Sequence, residues 1–273
     1  MSMALDGYGP FTVAAGRISI GALALLSVVA VTRPRDLLIR DPKTLLFMQM
    51  LGIMSFAMPF SLLAWGLQHV PSAFAGIAMG SSPVFVLVRA YLFVPDEQIG
   101  PRRIIGVIFG FVGLVVLILP GITTNGDETG SIAARVACVA ASLCYSIGAI
   151  LIRRAPSIPP LVFTAGMLAA GSVILTPLAL LLDGVPEISG ERATWAIVYA
   201  GLIPTGLAFL LRVVLIQSAG PIFMSLVAYI VPIWAVILGV VLLNETLTIN
   251  TYIGAVIILS GVGLTQSRLL KKC

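Results

Sequence analysis

Seven side chains could meet a polar guest: Arg17, Gln49, Ser82, Arg89, Tyr145, Tyr229 and Trp234 all fall inside long apolar runs of a 273-residue chain. A guanidinium there is costly to bury, so Arg17 faces either a wet space or a partner. As a binding group it suits an anionic or carboxylate-bearing solute. As a structural group it bonds backbone carbonyls or snorkels to an interface. Ser82 and Arg89 are seven residues apart and share one helix face, and Pro83 frees the carbonyl of Met79 from its usual amide partner. Tyr145, Tyr229 and Trp234 carry a polar handle on an apolar body and serve either packing or a guest. Arg212 reads as snorkelling to the interface and Arg135 as an anchor near a span end. Pro83 and Pro232 read as hinges or kinks.

Chemistry beyond binding is scarce. The chain has one histidine, His69, no grouping with metal-ligand spacing, no carboxylate pair within an apolar run and no phosphate-cradling loop. An enzyme is therefore not expected, and neither a metal nor any cofactor is called for. No ATP-binding domain is present in the sequence, and no carboxylate sits where a proton relay would need it. Facilitated diffusion or solute exchange fits better. Cys138 and Cys144 share one apolar run and Cys273 is the last residue, so no disulfide framework is expected.

The elements that must position these residues follow from composition. Apolar residues make up 59% and charged residues 10%, with a mean hydropathy of +1.10. A soluble domain carries about 25% charged residues. Apolar runs bounded by charge, Pro or Gly lie near 11–32, 44–65, 70–94, 102–120, 131–152, 161–182, 194–216, 219–243 and 249–267. Each has the length of a membrane-crossing helix, without two-residue alternation. The fold class expected is an all-α integral membrane protein with nine transmembrane helices.

Loop charge tests that count. Alternate loops hold Arg33, Arg35, Arg40, Lys43, Arg102, Arg103, Arg153, Arg154, Arg268, Lys271 and Lys272, whereas the opposite loops hold Arg192. The basic set belongs in the cytoplasm. The C-terminus is then cytoplasmic and the N-terminus outside, in a multi-pass protein of the inner (plasma) membrane. The formal charge of +5 reflects topology and not a nucleic-acid footprint. The opening residues carry no basic stretch of the kind that starts a cleavable signal peptide.

The chain also matches itself. Pro10, Gly16 and Gly21 meet Pro160, Gly166 and Gly171 at an offset of 150. Gly52 meets Gly201 and Pro83 meets Pro232 at 149, and Gly106 and Gly113 meet Gly254 and Gly261 at 148. A duplication gives such an ordered series. The first half, 1–124, carries four spans and the second, 125–273, carries five. The extra span, 131–152, opens the second half; if the repeat unit has five helices, the first helix of the first unit is expected to be missing. An odd unit inserts its two copies in opposite senses, giving an inverted repeat.

These residues resemble the drug/metabolite transporter superfamily, specifically EamA-type transporters. The resemblance rests on Pro10 to Arg17, on Ser82-Pro83 and Val231-Pro232, on the acids Asp96/Glu97 and Glu245 that follow, and on Gly106-x3-Gly110-x2-Gly113 and Gly254-x6-Gly261-x-Gly263. It implies two inverted five-helix halves around a central cavity. The expected function is secondary transport: export or exchange of a small polar metabolite, amino-acid-like or an organic anion, by alternating access. A translocase of lipid-linked substrates and a non-transporting membrane protein stand as alternatives. The expected partners are a small-molecule metabolite and the lipid bilayer, with no nucleic acid; a homodimer is left open.

Overall fold

A computed structural model describes residues 2–37, 41–82, 85, 101–118, 129–186, 190–219, 234, 237–241 and 249–266. Among them every regular element is helical and no strand occurs. The elements are α1 (Ser2–Leu5), α2 (Pro10–Thr32), α3 (Pro42–Gly52), α4 (Met58–Gly66), α5 (Ser72–Met79), α6 (Pro101–Ile118), α7 (Thr129–Arg153), α8 (Pro160–Leu182), α9 (Glu191–Ala200), α10 (Ala208–Ala219) and α11 (Ile249–Gln266). A π-helical segment, Ile53–Ala57, joins α3 to α4, and a second, Gly201–Leu207, joins α9 to α10. Five described helices are long and apolar enough to cross a bilayer: Pro10–Thr32, Pro42–Gly66, Ile132–Arg153, Pro160–Leu182 and Glu191–Ser218. Large apolar side chains such as Val31 (84% exposed) and Leu181 (82%) lie bare on their surfaces, as a lipid-facing helix allows and a water-facing one does not.

Local sequence sets these boundaries. Pro10, Pro42, Pro101 and Pro160 each open a helix, where a missing N–H costs nothing. Leu182 ends α8, and Gly184 then takes φ +82°, the left-handed turn that closes a helix. Asp41 caps α3, accepting from the amide of Lys43 (3.4 Å) and from the amide (3.0 Å) and hydroxyl (2.6 Å) of Thr44. These bonds, the hydroxyl's first, hold its carboxyl below the ordinary 3.8. A folded value below the unfolded one gives stability that is present above pH 3.8 and is lost as pH falls through the folded value. Asp41→Ala is therefore expected to lower the melting temperature at neutral pH. The difference from wild type should vanish in acid, and thermal melts in detergent across pH would check it.

The chain forms two compact units: Met1–Gln68 with Ile147–Phe223, and His69–Ser146 with Met224–Cys273. Each draws on both halves of the sequence. In the first, α2 and α8 pack along one another in opposite directions. The amide of Thr12 donates to Asp183 Oδ2 (2.7 Å) near one end, and Ser19 Oγ meets Ser172 Oγ (2.6 Å) and Thr176 Oγ1 (3.3 Å) further along. In the second, α6 and α11 are likewise antiparallel: Gly113 faces Gly254 and Ile258, while Gly106 and Gly110 face Gly261. The Gly106-x3-Gly110 spacing permits the close approach there. A methyl on Gly261 would lie 2.6 Å from the Gly106 carbonyl oxygen and 2.7 Å from the Gly110 nitrogen.

Crossings in the first unit form a matched pair. A methyl on Gly52 would reach the Met167 carbonyl oxygen at 2.5 Å and the Gly171 nitrogen at 2.9 Å. One on Gly201 would reach the Arg17 carbonyl oxygen at 3.0 Å, and one on Gly21 the Gly201 carbonyl oxygen at 3.0 Å. The sequence pairs Gly52 with Gly201, Gly21 with Gly171, and Arg17 with Met167 at offsets of 149 or 150. Each crossing therefore joins a residue from one half to the counterpart of its own mate. The π segments fall at matching positions too, since residues 53–57 shifted by 149 land within Gly201–Leu207.

The expected 70–94 run differs from a continuous helix. The α5 helix stops at Met79 and a turn follows at Gly80 and Ser81. Ser82 and Phe85 are helical again, and 83–84 and 86–100 lie outside the described residues. Residues 220–233 and 242–248, most of the expected 219–243 run, lie outside the described residues.

Candidate functional site

Arg17 sits on α2 in the first unit, partly buried. Its Nε donates to Thr205 Oγ1 at 3.0 Å, and its Cζ lies 4.0 Å from the centre of the Phe60 ring. Both contacts are neutral. The hydrogen bond fixes the plane of the guanidinium, and the ring's negative face attracts its charge.

The local sequence explains why Thr205 is available. Pro204 lies within the π segment and has no N–H for the Ala200 carbonyl four residues back. Thr205 Oγ1 donates to that carbonyl at 2.7 Å. With its proton committed there, the oxygen presents lone pairs to Arg17. Thr205 is fully buried, so the acceptor cannot swing out to water. Gly201, at the start of the same segment, lets the α2 backbone come close enough for the contact.

Phe60 is held just as firmly. Its ring is edge-on to Phe56 (5.9 Å between centres) and to Phe209 (6.1 Å), and Phe56 lies 4.4 Å from Phe209. All three are buried. Arg212 Cζ lies 5.1 Å from the Phe209 centre, and its Nε is buried. Two guanidinium groups thus flank one aromatic cluster, and Arg212 reaches inward here where the sequence suggested snorkelling. At the position matching Arg17, the second half has Met167, which is fully buried. The arginine is a departure from an otherwise paired arrangement.

The other candidates are dispersed. Gln49 is exposed on α3. Ser82 belongs to the second unit, where its hydroxyl donates to the Met79 carbonyl (2.9 Å) and meets Ser142 Oγ (2.9 Å). The freed carbonyl expected from Pro83 is thus used by a hydroxyl. Tyr145 is buried one turn beyond Ser142 on α7. Trp234 is 55% exposed. Arg89, Tyr229, Pro83 and Pro232 lie outside the described residues. Arg135 Cζ stands 5.4 Å from the Phe74 ring centre, and Cys138 and Cys144 are buried free thiols. No group of three or more His, Cys, Asp or Glu that could hold a metal occurs among the described residues.

Sequence inspection missed Thr205 and Phe60. Their signals were Pro204, whose lost N–H calls for a nearby hydroxyl, and the offset of 149 between Phe60 and Phe209.

Helices with lipid-compatible surfaces and an oriented cation within one span are those of a multi-pass membrane protein. The chain belongs to the EamA-like transporter family, whose pattern it matches over residues 1–119 and again over 133–266. It is 26% identical over 270 residues to the uncharacterized transporter YdfC of Bacillus subtilis, covering 98% of this chain and 85% of that one. It is 24% identical to a probable terminal-alkyne amino-acid exporter of Streptantibioticus cattleyicolor, covering 97% and 87%. Protein PecM of Dickeya dadantii is 22% identical over 79% of this chain and 72% of its own. A solved crystal structure matches with a TM-score of 0.69 at 19% identity, covering 96% of this chain and 89% of that chain, a likeness of fold. The protein is a membrane transporter of the drug/metabolite type.

Proposed function

We propose that the chain is a secondary carrier of the inner membrane that exports or exchanges a small metabolite bearing a carboxylate or similar anion, by alternating access. The observation that carries this is Arg17, within the span Pro10–Thr32 and oriented by Thr205 and Phe60. An oriented guanidinium recognises a carboxylate with planar, paired bonds. Gln49, Arg89, Tyr145, Tyr229 and Trp234 are further candidates for contact with the solute. The antiparallel pairs α2/α8 and α6/α11, with their matched glycine crossings, support an inverted repeat of the kind that exposes one site to each side in turn. The name of the Streptantibioticus relative supports an amino-acid-like solute. The loop charges support an outside N-terminus and a cytoplasmic C-terminus.

Purified protein in liposomes preloaded with amino acids or organic acids should take up labelled solute by counterflow. Uptake equal to that of protein-free vesicles across both classes would reject the carrier reading.

A further inference from the structure

A buried hydroxyl in the first unit makes no hydrogen bond. Ser55, in the π segment Ile53–Ala57, is 1% exposed, and its Oγ has no partner. It points into a notch on α7. A methyl on Gly148 would collide with Ser55 Oγ, with Ser55 Cβ next at 3.4 Å. Other hydroxyls within spans turn back to a carbonyl of their own helix: Ser61 to Ala57, Thr164 to Pro160 and Thr205 to Ala200, each at 2.7 Å. Thr205 is the telling comparison. It stands at an offset of 150 from Ser55, in the second π segment. The two segments hold equivalent hydroxyls, one satisfied and the other not.

A buried hydroxyl without a partner raises the free energy of the state that contains it. Single-turn π segments are rare and occur mostly at functional sites. In Ile53–Ala57 the ladder is stretched, since the Met58 amide donates to the Ile53 carbonyl five residues back. Tightening to α geometry would bring the Ser55 hydroxyl beside the carbonyl four residues back, that of Leu51. It would also take one residue out of the turn and rotate α4 against α3 by about 100°. Phe60 is on α4, three residues past the segment, so it would leave its place beside Arg17.

We propose that Ile53–Ala57 is a two-state element, π in this structure and α in the alternative state, with Ser55 setting the balance. The unmet hydroxyl penalises the π state, and the Leu51 carbonyl stabilises the α state. Phe60 moves with the conversion, which couples the hold of Arg17 on a solute to the state of the segment. That coupling rests on the carrier reading, whereas the two-state segment does not.

Ser55→Ala in the purified full chain is the test. It relieves the π state and deprives the α state of its bond. The melting temperature in detergent should rise by about 2–4 °C. Amide hydrogen exchange over residues 53–60 should slow by about tenfold. Counterflow of labelled alanine, glutamate or succinate, whichever the wild type carries, should slow by a similar factor of about ten. Gly148→Ala should lower the melting temperature, and adding Ser55→Ala should restore it, because only the hydroxyl fills the notch. A Ser55→Ala protein that melts at or below wild type, exchanges these amides at the same rate, or carries solute as fast, overturns the proposal. So does a double variant that melts no higher than Gly148→Ala. Wild type that carries none of the three solutes counts against the carrier reading, while melting and amide exchange still decide this one.

Discussion

Arg17→Ala is expected to lower solute exchange by roughly ten- to a hundredfold, the equivalent of losing one hydrogen-bonded charged contact of about 1.5–3 kcal/mol. Most of that loss should appear as weaker half-saturation, because the guanidinium grips the solute in both orientations of the carrier. Arg17→Lys keeps the charge but loses the planar fork and the Nε that Thr205 holds at 3.0 Å, so it should recover only part of the activity. Thr205→Val removes the acceptor and also leaves the Ala200 carbonyl without its hydroxyl donor. It should impair exchange while the arginine is still present, which separates positioning from charge. Counterflow rates against solute concentration check all three. A folded Arg17→Ala with wild-type rate and half-saturation would remove the anion site from the mechanism.

The second large effect is on folding, at Gly261. Alanine there puts a methyl 2.6 Å from the Gly106 carbonyl oxygen and 2.7 Å from the Gly110 nitrogen, both backbone atoms that cannot turn aside. The helices α6 and α11 must separate, at a cost of about 1–3 kcal/mol or more. Gly263, two residues on, has nothing within 4 Å of the same methyl. Alanine at that position should be neutral or slightly stabilising, since it favours helix over glycine by about 1 kcal/mol. Yield of monodisperse protein and melting temperature in detergent should fall for Gly261→Ala and hold for Gly263→Ala. Equal behaviour of the two would show that the α6/α11 crossing is looser than described.

Much of this arrangement is written locally in the chain. The run read as 11–32 is helix Pro10–Thr32, that read as 161–182 is Pro160–Leu182, and that read as 249–267 is Ile249–Gln266. Apolar length and flanking prolines are enough to place such elements. Arg17 was legible for the same reason, as a charge where none is affordable. Other features depend on contacts across many residues. The π segments at Ile53–Ala57 and Gly201–Leu207 have no composition of their own, beyond a proline nearby. Thr205 and Phe60 gain their meaning only when α2 lies against them. Gly21 and Gly171 align as counterparts in sequence, yet in space each meets the mate of the other pair, Gly201 and Gly52. Alignment reveals equivalence, whereas adjacency comes from packing.

That crosswise arrangement bears on how the protein is made. Notches presented early in synthesis, at Gly21, Gly52, Gly106 and Gly113, fit ridges that leave the ribosome much later. Until then the nascent chain must wait in the bilayer with its grooves filled by acyl tails. Two polypeptides, each bearing one half, should for the same reason reassemble when expressed together, while either alone offers the quality-control machinery an unfinished surface.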